Sequence, residues 1–89
     1  MGVRFIWDPE NILHIARHGV TPQEAEDVLL DDETIHVSSH SGRLSAYGLS
    51  MAGRALRVIY DQRPDGARVT TAYQIRQRLL ARIQEEAQQ

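Results

Sequence analysis

The sequence predicts a single small α+β domain, residues 1–89, with two N-terminal helices, a small antiparallel sheet and a C-terminal helix. Three observations support this fold class. Two helix-start signals stand near the beginning of the chain, each followed by apolar residues at helical spacing. The middle of the chain alternates between apolar and polar residues and is interrupted by turn signals. Helical spacing then returns in the last segment.

A short strand from Val3 to Trp7 is predicted to lead into the first helix. Asp8 is a suitable N-cap acceptor, and Pro9 fits the first helical position. We expect this helix to run to about His18, with Gly19 as the residue that stops it. Its predicted apolar side is formed by Ile12, Leu13, Ile15 and Ala16.

The second helix begins at a capping box, Thr21-Pro22-Gln23-Glu24, in which the Thr and Glu side chains satisfy free backbone N–H groups. It ends in the acidic run Asp31-Asp32-Glu33.

An antiparallel β-meander follows. Its predicted strands are Thr34–Ser39, Arg43–Ser50, Arg54–Gln62 and Arg68–Tyr73. The turns between them are predicted at Ser41-Gly42, Met51-Ala52-Gly53 and Pro64-Asp65-Gly66. Alternation places Ile35 and Val37 inward on the first of these strands. On the third, Leu56, Val58 and Tyr60 share one face, opposite Arg57 and Ile59.

The last helix is predicted from Gln74 to about Ala87. Its packing side is formed by Ile75, Leu79, Leu80 and Ile83. Arg76 falls inside this apolar arc, so we expect it to pair with a buried acid or to reach into a groove across the sheet.

Composition excludes several classes of protein. Apolar residues make up 42% of the chain and charged residues 25%, which is typical of a globular protein and not of a disordered one. No apolar run is long enough to span a membrane, and no signal peptide is evident. The chain has no cysteine, which excludes disulfides and thiolate chemistry. We therefore expect a cytoplasmic protein without a metal or cofactor.

Charge is distributed unevenly. Residues 1–33 carry eight acids against two arginines, a net charge of −6, whereas residues 34–89 carry eight arginines against four acids, a net charge of +4. This asymmetry favours an anionic partner for the second half of the chain. All ten cationic residues are arginine, which a GC-rich genome would explain equally well.

Histidines and arginines are the candidate functional residues. His14 and His18 stand four residues apart on the first helix and would suit a metal pair, but no third ligand has diagnostic spacing. His18, beside Arg17 in the last helical turn, suits phosphate binding or acid–base chemistry, although its spacing alone favours a charged helix cap and no more. His36 and His40 are expected to be solvated. Arginines on the strands and the last helix could follow an RNA backbone, or could simply cover solvated faces.

Several short motifs, in order, resemble the BrnT family, toxins of type II toxin–antitoxin modules with a RelE-like ribonuclease fold. They are Phe5-Ile6-Trp7-Asp8, Arg17-His18-Gly19-Val20, Arg43 through Gly48, Gly53 through Ile59, Arg63 and Thr71-Ala72. The resemblance spans nearly the whole chain. The chain departs from the family at Tyr73, where Arg is usual, at Leu79, where an acid is common, and at His14, which stands near a common Asn.

The resemblance implies metal-independent endoribonuclease activity, in which a ribose 2′-hydroxyl attacks the adjacent phosphate. His18 would act as acid or base, Arg43 and Arg54 would stabilise charge, and Tyr73 would exchange a proton. We expect RNA contacts from Arg17, Arg57, Arg63 and Arg76, and a BrnA-like antitoxin as partner. The alternative is a catalytically inactive RelE-like interaction domain that binds a protein or nucleic acid. The sequence leaves the oligomeric state open.

Overall fold

The structure is a computed structural model that describes residues 3–39 and 41–88, so the prediction for His40 lies outside the described residues. Its helices and strands in chain order are β1 (Phe5–Ile6), α1 (Pro9–Ala16), α2 (Pro22–Leu30), β2 (Ile35–Ser38), β3 (Leu44–Leu49), β4 (Ala55–Arg63), β5 (Gly66–Gln74) and α3 (Gln77–Ala87). The predicted α+β class is confirmed. Among the described residues, no helix is long and apolar enough to cross a membrane.

The sheet has five strands in the order β1-β5-β4-β3-β2. Strands β2 to β5 form the predicted antiparallel meander. The short β1 adds to the outer edge of β5 in parallel, so the sheet is mixed. Because β1 ends at Ile6, it pairs with only the first part of β5 and leaves the rest of that edge to α1.

Both predicted helix starts are present. Asp8 caps α1, and its capping box is completed by Asn11 at the third helical position. Thr21 and Glu24 form the capping box of α2. Helix α1 ends at Ala16, two residues before the predicted end, and Gly19 with φ +73° turns the chain toward α2.

The main core lies between the two N-terminal helices and one face of the sheet, here called the helix-side face. Leu56, Val58 and Tyr60 share this face, as the alternation predicts. They pack with Ile15 of α1 and Val28 of α2. The predicted apolar side of α1 is wrong in detail: only Ile15 is buried, together with the polar Asn11 four residues earlier, while Ile12, Leu13 and Ala16 are exposed.

Helix α3 packs on the opposite face of the sheet, over β2 and β3. Its residues border shallow depressions with Ile35 and Leu49, and strand register puts both of these on the same face as Tyr47. Leu80 is buried here, outside the main core. Because α3 covers only the β2–β3 half, the opposite face remains open over β4 and β5.

The structure corrects three predictions, two at the ends of the sheet and one on α3. Val37 is 47% exposed, because it lies on the edge strand beyond the cover of α3, whereas the alternate residue His36 turns toward the helix-side face and bonds Tyr60. Strand β5 continues to Gln74, so Arg76 is the exposed N-cap of α3 and lies outside the apolar arc. Leu79, which the sequence predicts to pack, is 45% exposed, because α3 contacts only the β2–β3 half of the sheet.

Gly48 of β3 leaves room for Thr34 and for Val28 of α2 to pack against the sheet. A Cβ on this residue would collide with the Thr34 hydroxyl, which donates a hydrogen bond to the Val28 carbonyl, and would also touch the Val28 side chain. Replacing Gly48 with alanine should therefore destabilise the fold by about 1–3 kcal/mol, the usual cost of overpacking a tight core. Urea unfolding measures this change, with Gln62→Ala on an exposed position as control. An unchanged unfolding midpoint for Gly48→Ala would contradict the packing described.

Candidate functional site

The open face of the sheet carries a row of polar side chains across β3, β4 and β5. Strand register aligns Tyr47 with Arg57 and Arg57 with Tyr73, so the three side chains stand side by side on this face. Ile59 and Thr71 form the next pair along the same strands. We refer to this area as the open face.

Arg57 is held between two tyrosines. Its guanidinium carbon lies 5.5 Å from the centre of the Tyr47 ring and 5.9 Å from that of Tyr73. Nη1 donates to the Tyr73 hydroxyl at 2.6 Å, and Nη2 donates to the Ser45 hydroxyl at 3.1 Å. Within the described residues no carboxylate pairs with Arg57, and its buried Nε has no hydrogen-bond partner. The side chain is thus fixed before any ligand binds, with its positive charge uncompensated.

Two histidines of α1 line up beside this row. The His18 ring lies 6.1 Å from that of Tyr73, and the His14 ring lies 5.8 Å from that of His18. His18 is exposed, at the end of the helix. The result is a continuous series of neighbouring side chains from His14 through His18 and Tyr73 to Arg57.

Asn11 holds α1 in the position that creates this series. Its Nδ2 donates to the carbonyls of Ile6 in β1, at 2.9 Å, and Val69 in β5, at 3.1 Å. Its Oδ1 accepts from the Asp8 backbone N–H at 2.9 Å. Sequence reasoning missed this residue. Its one sequence signal was an amide side chain three residues after the N-cap Asp8.

A groove of about 490 Å³ extends from the open face toward the turn between β4 and β5. It is lined by Glu10, Asn11, His14, Arg43, Asp61, Arg63, Arg68, Thr70 and Thr71. Arg68 is occupied by Asp8 and Glu10, whereas the ion pair of Arg43 with Asp61 is exposed and long, at 3.5 Å. Arg63 forms no ion pair within the described residues. We call this the arginine groove.

Arg54 lies elsewhere and is engaged with the protein. Nη1 bonds both carboxylate oxygens of Glu24, at 2.8 and 3.0 Å, and the Gly19 carbonyl at 2.9 Å. Nη2 bonds the Gln74 side chain at 3.3 Å. These contacts join the turn between α1 and α2 to the sheet, which is a structural use of the guanidinium.

The structure therefore brings together some of the predicted site residues and separates others. His18, Tyr73 and Arg57 adjoin one another, and Arg43 and Arg63 lie in the groove beside them. Arg54 lies apart from them, because its guanidinium is bound to Glu24 of α2. Two further predicted RNA-binding residues, Arg17 beside His14 and Arg76 at the start of α3, are exposed at the margins of this region.

The residues that the structure describes contain no group of three or more His, Asp or Glu placed to bind a metal ion. In comparisons with known proteins, no family model, curated protein or solved structure matches the chain.

Removing the Asn11 side chain tests its role in fixing α1. In Asn11→Ala, two buried carbonyl groups and one N–H lose their partner, so the free energy of unfolding should fall by about 2–4 kcal/mol. Urea denaturation gives the value. The exposed Gln23→Ala, which loses a surface hydrogen bond to Asp27, is the matched control and should change stability by less than about 0.5 kcal/mol. Equal stability of the two variants would refute the role given to Asn11.

Ionisation of Asp8 makes the stability of the fold depend on pH in the acid range. The hydrogen bond from the Asn11 backbone N–H and the adjacent Arg68 guanidinium hold the pKa of Asp8 below its ordinary value. Its stabilising effect is therefore complete above about pH 4, the unfolded value, and is lost as the pH falls through the lowered pKa of the folded state. Asp8→Asn should flatten the acid limb of the stability–pH curve. If that limb keeps its slope in the variant, another carboxylate is responsible.

Proposed function

We propose that the protein binds RNA on its open sheet face and cleaves it without a metal ion, the activity that the resemblance to the BrnT family implies. The observation that carries this proposal is the contact series His18–Tyr73–Arg57. It supplies an imidazole, a phenol and a fixed guanidinium at one exposed place. These are the groups that attack of a ribose hydroxyl on the adjacent phosphate requires.

The proposed reaction is an internal transesterification. The ribose 2′-oxygen forms a bond to the adjacent phosphorus, and the bond from phosphorus to the 5′-oxygen of the next nucleotide breaks. His18 accepts the proton of the 2′-hydroxyl, and Tyr73 donates a proton to the departing 5′-oxygen. The products are a 2′,3′-cyclic phosphate and a free 5′-hydroxyl, so the step needs no other reactant.

Tyr73 is oriented as a proton donor by its contact with Arg57. A guanidinium can only donate hydrogen bonds, so the Tyr73 oxygen accepts from Arg57 and directs its own O–H away from it. When Tyr73 releases its proton, its oxygen still accepts the hydrogen bond from the Arg57 cation. The same cation stabilises the negative charge that builds up on phosphorus oxygens in the transition state. We therefore assign charge stabilisation to Arg57 in place of Arg54, which Glu24 already occupies.

The arginine groove is suited to the neighbouring phosphates of the same RNA strand. Arg63 has no carboxylate partner among the described residues, and Arg43 can exchange its long contact with Asp61 for a phosphate at little cost, since exposed ion pairs contribute little. His14 and Thr71 connect the groove with the proposed catalytic residues.

A non-catalytic interaction domain is the second candidate, and one observation favours it. Each Nη of Arg57 already donates one hydrogen bond within the protein, and its Nε is buried, so a phosphate can bind this guanidinium only through the second N–H of each Nη. In this alternative the open face binds an anionic partner and no bond is broken.

Removal of single groups tests the catalytic assignment. Tyr73→Phe, which deletes only the proton donor, and His18→Ala should each lower the rate of RNA cleavage by about 10²–10³. Tyr60→Phe is the matched control, because it deletes a tyrosine hydroxyl on the helix-side face, bonded to His36, and should cleave at the wild-type rate. Rates are measured on a labelled single-stranded RNA in the presence of a metal chelator.

A gel-shift assay on the same RNA separates the two candidates. Retained binding with lost cleavage in both site variants supports the enzyme. Binding by a wild-type protein that never cleaves supports the interaction domain, and unchanged cleavage by His18→Ala and Tyr73→Phe overturns the assigned roles.

A further inference from the structure

We infer that α3 is the interface of a two-fold symmetric homodimer, in which the helices of two copies pack antiparallel. The inference rests on the charge pattern and the exposed apolar residues of α3, and it is independent of the function proposed above.

The charges of α3 oppose its own dipole. The helix begins with Arg76 as N-cap and Arg78 in the first turn, has no acid in that turn, and lacks a side-chain cap. It ends with Glu85 and Glu86 and has no basic residue in the last turn. Cations at a helix N-terminus and anions at its C-terminus interact unfavourably with the helix dipole. A partner that brings acidic residues to the start of α3 and basic residues to its end would offset this unfavourable arrangement.

An antiparallel second copy removes the conflict. The basic start of each helix then faces the acidic end of the other, and the two dipoles are opposed. Within the described residues, none of Arg78, Arg82, Glu85 or Glu86 forms an ion pair, so all four charges are available to a partner. Because a two-fold axis relates the copies, every pairing occurs twice.

Apolar residues supply a contact seam along the same helix. Leu79, Ile83 and Ala87 follow one another at intervals of four residues, the spacing of a ridge that packs against another helix. Leu79 is 45% exposed, Ala87 is exposed and Ile83 is half-buried. A groove of about 560 Å³ borders the seam and is lined by Gln74, Ile75, Arg76, Arg78, Leu79 and Arg82.

The acidic run after α2 adds negative charge next to the acidic end of α3, on the side that would face the arginines of a second copy. Asp32 and Glu33 border the same depression as Gln84 and Gln88, so they lie beside the acidic end of α3. In the antiparallel arrangement they approach the arginine-lined groove of the second copy. The surface is short, since 11 helical residues extend about 16 Å, which predicts a weak dimer that depends on concentration and salt.

Charge reversal with sedimentation velocity tests the inference. The double variant Arg78→Glu/Arg82→Glu and the double variant Glu85→Arg/Glu86→Arg should each dimerise at least about tenfold more weakly than the wild type, because every repulsion occurs twice. Mixed in equal amounts, the two variants should form a heterodimer. This rescue also shows that both variants are folded. Arg43→Glu/Arg63→Glu, in the arginine groove, makes the same change in net charge as Arg78→Glu/Arg82→Glu, and this control should dimerise normally.

Leu79→Ser tests the seam separately and should also weaken the dimer, without loss of the fold since Leu79 is exposed. Three results would overturn the inference: a monomer at every concentration, charge variants that dimerise like the wild type, or a mixture that stays monomeric. Loss of RNA binding by Arg78→Glu/Arg82→Glu in a monomeric wild type would instead identify α3 as a polyanion surface.

Discussion

The candidate site depends on the hydrogen bonds that the Asn11 side chain makes with β1 and β5. Strand β1 covers only the beginning of the β5 edge, and α1 must cover the remainder for the edge to be protected. A helix cannot pair with a strand through its backbone, because its own N–H and C=O groups are already used. Asn11 solves this by donating from α1 to the carbonyls of Ile6 and Val69, one on each strand.

The position of α1 decides which residues meet on the open face. With Asn11 at Val69, the helix runs alongside β5, and its exposed side meets the strand at successive positions. His14 reaches the groove that contains Thr71, and His18 reaches Tyr73. A shift of α1 by one turn would move each histidine by about 5.4 Å and separate His18 from Tyr73. The fold and the candidate site are therefore coupled through one buried amide.

Two nearby arginines, Arg54 just before β4 and Arg57 within it, are used differently because they meet different partners. Arg54 meets the carboxylate of Glu24 and serves as a tie between α2 and the sheet. Among the residues that the structure describes, Arg57 bonds neutral groups, the hydroxyls of Tyr73 and Ser45, so its charge is held in place but not neutralised. Such a cation is ready to stabilise negative charge without reorganisation, which is the property that electrostatic catalysis uses.

Local features of the fold could be predicted from the sequence, and long-range ones could not. The caps at Asp8 and Thr21 depend on neighbouring residues, and the face shared by Leu56, Val58 and Tyr60 depends only on alternation. The exposure of Val37 and Leu79 depends on how far α3 extends over the sheet, which no local pattern encodes. For the same reason the sequence singled out His18 and Tyr73, assigned charge stabilisation to Arg54 and RNA contact to Arg57, and gave no sign that Arg54 is the one paired with a carboxylate. That difference is set by Glu24, 30 residues from Arg54 along the chain.

The central claim is that the open face cleaves RNA through a ribose hydroxyl. Its most direct test is to incubate the purified protein with a defined RNA and a metal chelator, and to identify the product ends by mass spectrometry. The account predicts 2′,3′-cyclic phosphate and 5′-hydroxyl ends, and no cut at a nucleotide that carries a 2′-deoxyribose. Intact RNA, 5′-phosphate ends, or cleavage at the deoxy position would contradict it.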